Sequence, residues 1–232
     1  MRTVIVAGGA GAVGEGIVRA LIARNCQVVV PSRDGKRLKA LQDTLGNPPH
    51  LTLLEGNIVD PDDGDDIRQQ LLKRFTNLDG LVVAVGGWWQ GANLLDVSLD
   101  TFESQVHRIL FSHFVIAKTF LPCLSASGRN PSATFIGGSA SEDPVPGAGP
   151  TSIAGAAQIM LVRALAAEST DQPVRINELV LGPVATRKTP TPDPTWITAD
   201  DVGQVCADLA SEASTIRGQV IRIYDRAALE TP

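Results

Sequence analysis

The sequence predicts an α/β fold, a doubly wound parallel sheet with helices on both of its faces. Short, continuous apolar runs recur along the 232 residues, and segments with a helical spacing of apolar residues separate them. Strands that are apolar at every position are typical of parallel sheets covered on both faces, and the intervening helices supply the crossover connections. The length suits one large domain, and we expect residues 1–232 to form a single domain.

The predicted elements follow one another in a regular order. The first strand, residues 3–7, ends in a glycine-rich loop, and a helix at residues 13–23 follows it. Further strands are predicted at residues 28–30, 51–54, 80–84, 133–136, 175–181 and 219–223, and further helices at residues 36–45, 66–75, 102–121, 153–168 and 199–209. The Pro-rich stretch at residues 189–194 precedes more sheet, so it indicates a surface loop and not a domain boundary.

Composition narrows the class of protein. The net charge is −5 and no basic run occurs, which argues against nucleic acid as a partner. Cys26, Cys123 and Cys206 are scattered and show no metal-ligand spacing, so we expect reduced thiols and no metal site. No cleavable leader precedes the first apolar run, which is too short to span a membrane. We therefore expect a cytoplasmic protein without a membrane partner.

The loop after the first strand has the pattern of a phosphate-binding loop. Gly9-x-Gly11-x-x-Gly14 overlaps a second pattern that begins at Gly8. Glycine permits a tight turn and a close approach of the backbone to a pyrophosphate, and the N–H groups of the following helix face that anion. The position between a strand and a helix favours dinucleotide binding. The alternative is a tight turn without a ligand.

The end of the second strand favours NADP(H) over NAD(H). An acidic residue there would accept hydrogen bonds from the adenosine ribose, but the chain has Pro31, Ser32, Arg33 and Asp34. A hydroxyl and a guanidinium suit a 2′-phosphate. The alternative is an exposed basic helix start that Asp34 caps.

Together these motifs resemble the short-chain dehydrogenase/reductase family along nearly the whole chain. Residues 7–14 are similar to the family's Thr-Gly-x-x-x-Gly-x-Gly, and residues 182–186 (Gly-Pro-Val-Ala-Thr) to the segment that flanks nicotinamide. Asn57 and Ile58 stand where the family's Asp-Val contacts adenine, and residues 196–202 and 218–221 resemble its last helix and strand. The resemblance implies a Rossmann-type fold with cofactor contacts from Gly8, Gly9, Gly11, Val13, Gly14, Ser32, Arg33, Asn57, Ile58, Gly86, Pro183, Val184 and Thr186.

The departures from the family pattern fall on the chemistry. The family's Tyr-x-x-x-Lys lies 12 residues before the Arg of an Arg-Ala-Leu-Ala helix, which is Arg163 here, so Thr151 and Gly155 replace the Tyr and the Lys. The family's Ser falls on Gly138 and its helical Asn on Ile109. Since general acid–base catalysis contributes about 10²–10⁴ in rate, carbonyl reduction would be severely handicapped.

Few residues offer a replacement for the missing acid and base. The candidates are Ser139, Thr151, His113 and Glu142. For His113 and its neighbour His107, the alternative is a position at a helix surface or a subunit contact. For Glu142, the alternative is a solvated loop carboxylate. The only tyrosine, Tyr224, follows the last strand and is not expected to substitute. Trp88 and Trp89 suggest an apolar wall for a planar small molecule, or else a partner surface.

Two functions therefore compete at the level of sequence. One is a family member that binds NADP(H) but is catalytically silent or atypical. The other is a divergent enzyme, either an oxidoreductase with a replaced proton relay or a non-redox lyase or cyclase that reuses the cleft. Fold alone does not decide between them. The family usually pairs the two helices at residues 102–121 and 152–168, so we expect a homodimer or homotetramer.

Overall fold

Seven parallel strands form one sheet in the computed structural model, which describes residues 1–229. The strands of this sheet are β1 (Thr3–Ala7), β2 (Gln27–Ser32), β3 (Leu51–Glu55), β4 (Gly80–Val83), β5 (Ser132–Gly138), β6 (Arg175–Leu181) and β9 (Val220–Ile223). Between β6 and β9 in the chain, β7 (Val184–Ala185) and β8 (Ile197–Thr198) form a separate two-stranded sheet. The order in the main sheet is β3-β2-β1-β4-β5-β6-β9. The strand order reverses between β1 and β4, and ligands of open α/β sheets bind at the carboxyl ends of the strands at that point.

Helices cover both faces of this sheet, which confirms the predicted doubly wound architecture. They are α1 (Ala12–Ala23), α2 (Gly35–Leu45), α3 (Pro61–Arg74), α4 (Leu99–Val106), α5 (Ser112–Ser125), α6 (Gly149–Glu168) and α7 (Ala199–Ala210). A π-helical turn, His107–Phe111, joins α4 to α5. One buried apolar cluster lies between the sheet and α1, α2 and α7, and a second lies between the sheet and α3, α5 and α6.

Glycines bring α1 and α7 into close contact. A Cβ at Gly16 would lie 2.1 Å from the carbonyl oxygen of Ala199, and a Cβ at Gly203 would lie 2.4 Å from the carbonyl oxygen of Gly16. A side chain at either position would separate the two helices. The contact places the start of α7 beside the first turns of α1, next to the predicted phosphate loop.

Several elements are longer than their apolar patterns predict, because polar residues form their ends. Helix α3 begins at Pro61 and not at residue 66, since the Asp60 carboxylate accepts hydrogen bonds from the N–H groups of Asp62 and Asp63. Strand β2 does not end at Pro31 but continues to Ser32 beside β3. The pair β7–β8 was not predicted, since two-residue strands show no periodicity.

Two helical stretches are long and apolar enough to cross a membrane by length and composition alone. They are Leu99–Ser125, which spans α4, the π turn and α5, and Gly149–Glu168, which is α6. Both contribute side chains to the core beneath the sheet, including Ile116 and Phe120 from α5 and Val162 from α6. Packing against the sheet accounts for much of their apolar character.

Candidate functional site

The predicted phosphate loop between β1 and α1 is a tight backbone turn. Gly8 has a φ of 84°, and a Cβ there would lie 2.2 Å from the carbonyl oxygen of Ala84. A Cβ at Gly14 would lie 2.1 Å from the carbonyl oxygen of Gly8, so neither position accepts a side chain. Helix α1 begins after Gly11 with no side chain capping its first N–H groups. Those N–H groups and the positive end of the helix dipole are therefore free to face an anion.

Gly9 and Val13 have less direct roles in this loop. A Cβ at Gly9 would lie 2.9 Å from both Cγ atoms of Val30, so this glycine lets the loop pack on β2. Val13 is half-buried and packs against the core on the α1 side of the sheet. Both residues shape the loop from beneath.

A cavity of about 370 Å³ lies at the ends of β2 and β3, where the adenosine half of a dinucleotide would bind in this fold. Arg33 is exposed and lines this cavity together with Asn57, and three carboxylates lie in the same wall, Glu55, Asp63 and Asp66. The backbone N–H of Asn57 donates to Asp63, while Ile58 is 5% exposed with its side chain in the core.

The residues just after β2 are held in local hydrogen bonds. The Asp34 carboxylate accepts from the N–H groups of Lys36 and Arg37, so Asp34 caps α2 as the alternative interpretation proposed. The Ser32 hydroxyl accepts from the N–H of Asp34 at 3.1 Å. Arg33, just after β2, is therefore the exposed cation that lines this cavity.

The nicotinamide side of the predicted site is built from the segment after β6. Pro183 is exposed, Val184 lies in β7, and the Thr186 hydroxyl accepts from the N–H of Lys188 at 3.2 Å. Gly86, after β4, has a φ of 103° and would place a Cβ 3.4 Å from Ile109. A second cavity of about 370 Å³ lies between the start of α1, Thr186 and the start of α7.

The position of the family tyrosine holds a structural contact. The Thr151 hydroxyl donates to the carbonyl oxygen of Trp89 at 3.0 Å. Two further hydrogen bonds join the same two segments: the Gln90 side chain donates to the carbonyl of Pro146 at 2.9 Å, and the N–H of Gly91 donates to the carbonyl of Gly147 at 2.8 Å. Three hydrogen bonds thus hold the segment from Trp89 to Gly91 against the start of α6 and the residues just before it.

The other three positions, assigned from the sequence to the family's Lys, Ser and Asn, differ in their surroundings. A Cβ at Gly155 would lie 3.0 Å from the Cβ of Ser141, so Ser141 occupies the space next to the lysine position. Gly138 has open space, with the nearest atom 3.9 Å from a built Cβ. Ile109 is 6% exposed and packs in the core.

The other catalytic candidates do not form an acid–base pair. His113 is fully buried, which contradicts the surface interpretation, and its Nδ1 donates to the carbonyl of Ile109 at 2.6 Å. Burial lowers its pKa to about 4, so the imidazole is neutral near pH 7. Ser139 is half-buried, and its carbonyl accepts from the N–H of Glu142 at 3.0 Å.

Glu142 is bound by two side chains from the last strand and its end. The Arg222 Nε donates to a Glu142 carboxylate oxygen at 2.9 Å, and the Tyr224 hydroxyl donates to the same oxygen. These hydrogen bonds hold the pKa of Glu142 below its usual range, and the carboxylate raises the pKa of Tyr224. Glu142 is therefore not a free solvated carboxylate. Sequence separation concealed this cluster, because β9 lies next to β6 only through the sheet order.

A buried polar pair lies beneath the end of β5. The Glu178 carboxyl on β6 is fully buried, and one of its oxygens accepts from the Gln158 amide on α6 at 2.9 Å. The same amide donates to the carbonyl of Ile136 at 3.1 Å. Burial raises the pKa of Glu178 to about 8. The sequence gives a weak signal for this pair, a glutamate inside an otherwise apolar strand.

Comparison with known proteins decides the family. A family model for short chain dehydrogenases matches residues 2–194. The chain belongs to the short-chain dehydrogenase family. This confirms the resemblance stated from the motifs.

Individual short-chain dehydrogenases are similar to this chain at low sequence identity. A 3-phenylpropionate-dihydrodiol/cinnamic acid-dihydrodiol dehydrogenase of Escherichia coli is 27% identical over 130 residues, which cover 54% of this chain and 47% of that protein. The chain thus matches about half the length of such curated relatives.

Solved short-chain dehydrogenase structures share the fold. ElxO with NADP bound superposes with a TM-score of 0.88 at 18% identity and covers 99% of both chains. A short-chain dehydrogenase/reductase from Mycobacterium ulcerans gives a TM-score of 0.87 at 21% identity and covers 96% of this chain and 88% of its own. An apo short chain oxidoreductase from Pseudomonas aeruginosa PAO1, described as containing an atypical catalytic center, gives 0.86 at 20% identity and covers 96% and 95%.

Proposed function

We propose that this protein binds a nicotinamide dinucleotide, NADP(H) in preference to NAD(H), and lacks the family's usual carbonyl reductase or alcohol dehydrogenase activity. The hydrogen bond from the Thr151 hydroxyl to the Trp89 carbonyl carries the second half of this proposal. At the position where the family has its acid, Thr151 has a hydroxyl that does not ionise near neutral pH and that is already hydrogen-bonded to the backbone.

The dinucleotide half of the proposal is supported by the glycine loop. Gly8 and Gly14 permit only backbone at this turn, and α1 offers uncapped N–H groups beside it. A nicotinamide cofactor, when bound, supplies or accepts hydride. Gly8, Gly11 and Gly14 would hold its diphosphate, with Val13 packed beneath the loop, and Pro183, Val184 and Thr186 would border its nicotinamide.

Preference for NADP(H) is supported by Arg33 and opposed by nearby carboxylates. Arg33 is exposed in the adenosine-side cavity and offers a planar set of donors to a 2′-phosphate. Glu55 lies opposite Ser32 in the sheet register and lines the same cavity. Its negative charge reduces the advantage of NADPH, so we expect a modest preference, on the order of tenfold.

Loss of ordinary redox activity is supported by the burial, hydrogen bonds and pKa shifts of His113, Glu142 and Tyr224. His113 is buried and neutral, and Glu142 is held by Arg222 and Tyr224. Tyr224 has a raised pKa and lies on the other side of β6, at the end of β9. The raised pKa of Tyr224 is the opposite of the lowered pKa that makes a tyrosine an effective acid–base catalyst.

A second candidate is a divergent oxidoreductase, supported by Trp88 and by the retained segment at residues 183–186. The Trp88 side chain, in the segment after β4, is 56% exposed and offers an aromatic face. The Escherichia coli relatives are dehydrogenases of aromatic-acid dihydrodiols, so a planar ring compound is the substrate class to test first.

One pair of variants tests cofactor binding with a matched control. Gly11 has an extended backbone before α1, so Gly11→Asp and Gly11→Asn would each cap that helix. Only the aspartate places a negative charge where the diphosphate would bind. We expect titration calorimetry to show the tightest NADPH binding by the unmodified protein, weaker binding by Gly11→Asn, whose cap occupies N–H groups of α1, and binding at least tenfold weaker again by Gly11→Asp, which adds the charge.

The redox half has its own assay. NADPH consumption is measured against ketones, aldehydes and quinones, and NADP⁺ reduction against cyclic diols. Turnover at ordinary rates of ~1–10³ per second would overturn the silent assignment and favour the second candidate. Ser139→Ala would then identify whether the nearby hydroxyl carries the proton.

A further inference from the structure

The second cavity extends the predicted phosphate loop toward a charged cluster. Ala12, the first residue of α1, lines this cavity together with Glu15 and Arg19 on the next turns of the helix. Arg187, just after the nicotinamide-flanking segment, and Asp200, at the start of α7, also line it. The cavity therefore joins the anion-binding end of α1 to an arrangement of two cations and two carboxylates.

Arg187 is the cation of this cluster with free donors. Its Nε donates to the Glu15 carboxylate at 2.6 Å, and within residues 1–229 its two Nη groups make no hydrogen bond. Arg19, by contrast, uses one Nη on Glu15 at 2.9 Å and the other on Asp200. The Glu15 side chain is 8% exposed while the Arg187 side chain is 51% exposed, so a buried carboxylate anchors one edge of a guanidinium that faces the cavity.

We propose that Arg187 binds the diphosphate of the dinucleotide and that Glu15 is the residue that positions it. This inference rests on the proposed function and adds a side-chain charge to a site otherwise made of backbone N–H groups. A planar guanidinium fixed along its Nε edge presents its Nη groups as a fork, which matches phosphate oxygens.

Charge balance supports this role over that of a simple surface ion pair. The four charged residues of the cavity sum to zero, so an incoming diphosphate requires a cation that is not fully engaged. Arg187 meets this requirement and Arg19 does not. A half-exposed pair contributes little to folding on its own account.

Calorimetric titrations with NADPH, ADP-ribose and adenosine test the inference, because only the first two carry a diphosphate. We expect Arg187→Gln to weaken NADPH and ADP-ribose about 10- to 100-fold, the effect of losing charge-assisted hydrogen bonds, and to leave adenosine unchanged. Arg187→Lys should give an intermediate loss, since one ammonium cannot hold Glu15 and phosphate together. Arg24→Gln is the control, because Arg24 pairs with Asp208 at the far end of the same two helices.

The outcomes separate this inference from the proposed function. If Arg187→Gln binds NADPH as tightly as the unmodified protein, the role of Arg187 is refuted while dinucleotide binding stands. Equal weakening of all three ligands would show that Arg187 only maintains the shape of the cavity, and it would also refute the inference. If the unmodified protein binds neither NADPH nor ADP-ribose, both proposals fail together.

Discussion

Thr151 and Gly155 differ from the family residues in more than their missing chemistry, because their neighbours have filled the space. Ser141 lies 3.0 Å from a Cβ built at Gly155, and its hydroxyl donates to the carbonyl of Gly138 at 2.7 Å. A lysine at position 155 must therefore displace Ser141, and a tyrosine at 151 must break the contact with Trp89. Gly138, with open space around it, accepts a serine without such a cost.

Restoring the family residues should consequently give a bound cofactor but poor catalysis. For Thr151→Tyr with Gly155→Lys and Gly138→Ser, we expect a loss of ~1–3 kcal/mol in unfolding free energy from overpacking. NADPH binding should stay intact or tighten through lysine contacts to the ribose. Ketone reduction should remain weak, since a misplacement of about 1 Å can cost ~10²-fold. Denaturant unfolding, calorimetry and NADPH consumption measure the three effects.

The added substitution Ser141→Gly is the control for this restoration. It removes the Cβ that the lysine meets, so it should recover most of the lost stability in the triple variant. If the triple variant that keeps Ser141 is already as stable as the unmodified protein, the packing explanation is wrong.

Glu178 predicts an unusual pH dependence of stability. Its pKa is raised from 4.5 to about 8 by burial, so between these values the unfolded chain releases a proton that the folded chain keeps. The unfolding free energy should therefore fall as pH rises through this window, by at most ~1.4 kcal/mol per pH unit. His113, whose pKa is lowered to about 4, acts in the opposite direction below its ordinary value of 6.5. Urea unfolding between pH 6.5 and 8 measures the fall where the opposing contribution of His113 fades with rising pH.

A matched pair of substitutions identifies the group responsible. Glu178→Gln removes the ionisable group and should flatten the fall between pH 6.5 and 8. Glu168→Gln makes the same change at an exposed residue at the end of α6 and should leave the slope as it is. An unchanged slope in Glu178→Gln would assign the pH dependence to another residue.

At the scale of elements, the segment after β4 depends on its attachment to the start of α6. Thr151→Val keeps the shape of the side chain and removes the hydroxyl that holds the Trp89 carbonyl. A net hydrogen bond of about 0.5–1.5 kcal/mol corresponds to a roughly 2- to 10-fold rise in amide exchange of residues 89–91. Hydrogen-exchange mass spectrometry measures this rise, and Thr151→Ser should retain the protection of the unmodified protein.

The sequence predicted elements well where apolar periodicity is strong and poorly where polar residues set the boundary. Strands β1 and β6 have the bounds that their apolar runs predict. Helix α3 extends beyond its apolar pattern because Asp60 caps an earlier turn, and β7 is too short to show any pattern. A capping carboxylate decides a helix start through one local contact, which apolar spacing does not record.

At the scale of the whole molecule, contacts between distant segments were the features that the sequence did not show. Glu142 and Tyr224 are 82 positions apart and meet because β9 closes the sheet beside β6. Glu15 and Arg187 are 172 positions apart and meet because the segment just after β7 lies beside α1. The glycine loop was predictable because β1, the turn and α1 are consecutive in the chain. The side-chain contacts that other elements add to the site were not predictable, because their residues are distant in the chain.

The exposed surface of α4, α5 and α6 predicts self-association of the whole molecule. In this region Ile109 and Ile116 are buried in the core, whereas four apolar side chains are exposed: Phe111 of the π turn at 47%, Phe114 at 46%, Ile153 at 43% and Met160 at 58%. Exposed apolar side chains on two neighbouring helices favour an isologous contact with a second copy. Light scattering should therefore give a mass of two or four times 24.4 kDa for the unmodified protein.

Charged substitutions on this surface should dissociate the oligomer. We expect Phe114→Glu with Ile153→Lys to yield a folded species of 24.4 kDa, because each buried charge would lose its hydration at the contact. Leu72→Glu is the control, since Leu72 is an exposed apolar residue on α3, outside this surface, and its replacement should leave the mass unchanged. A monomeric unmodified protein would refute the prediction. If the double variant is still an oligomer, the interface lies on another surface of the protein.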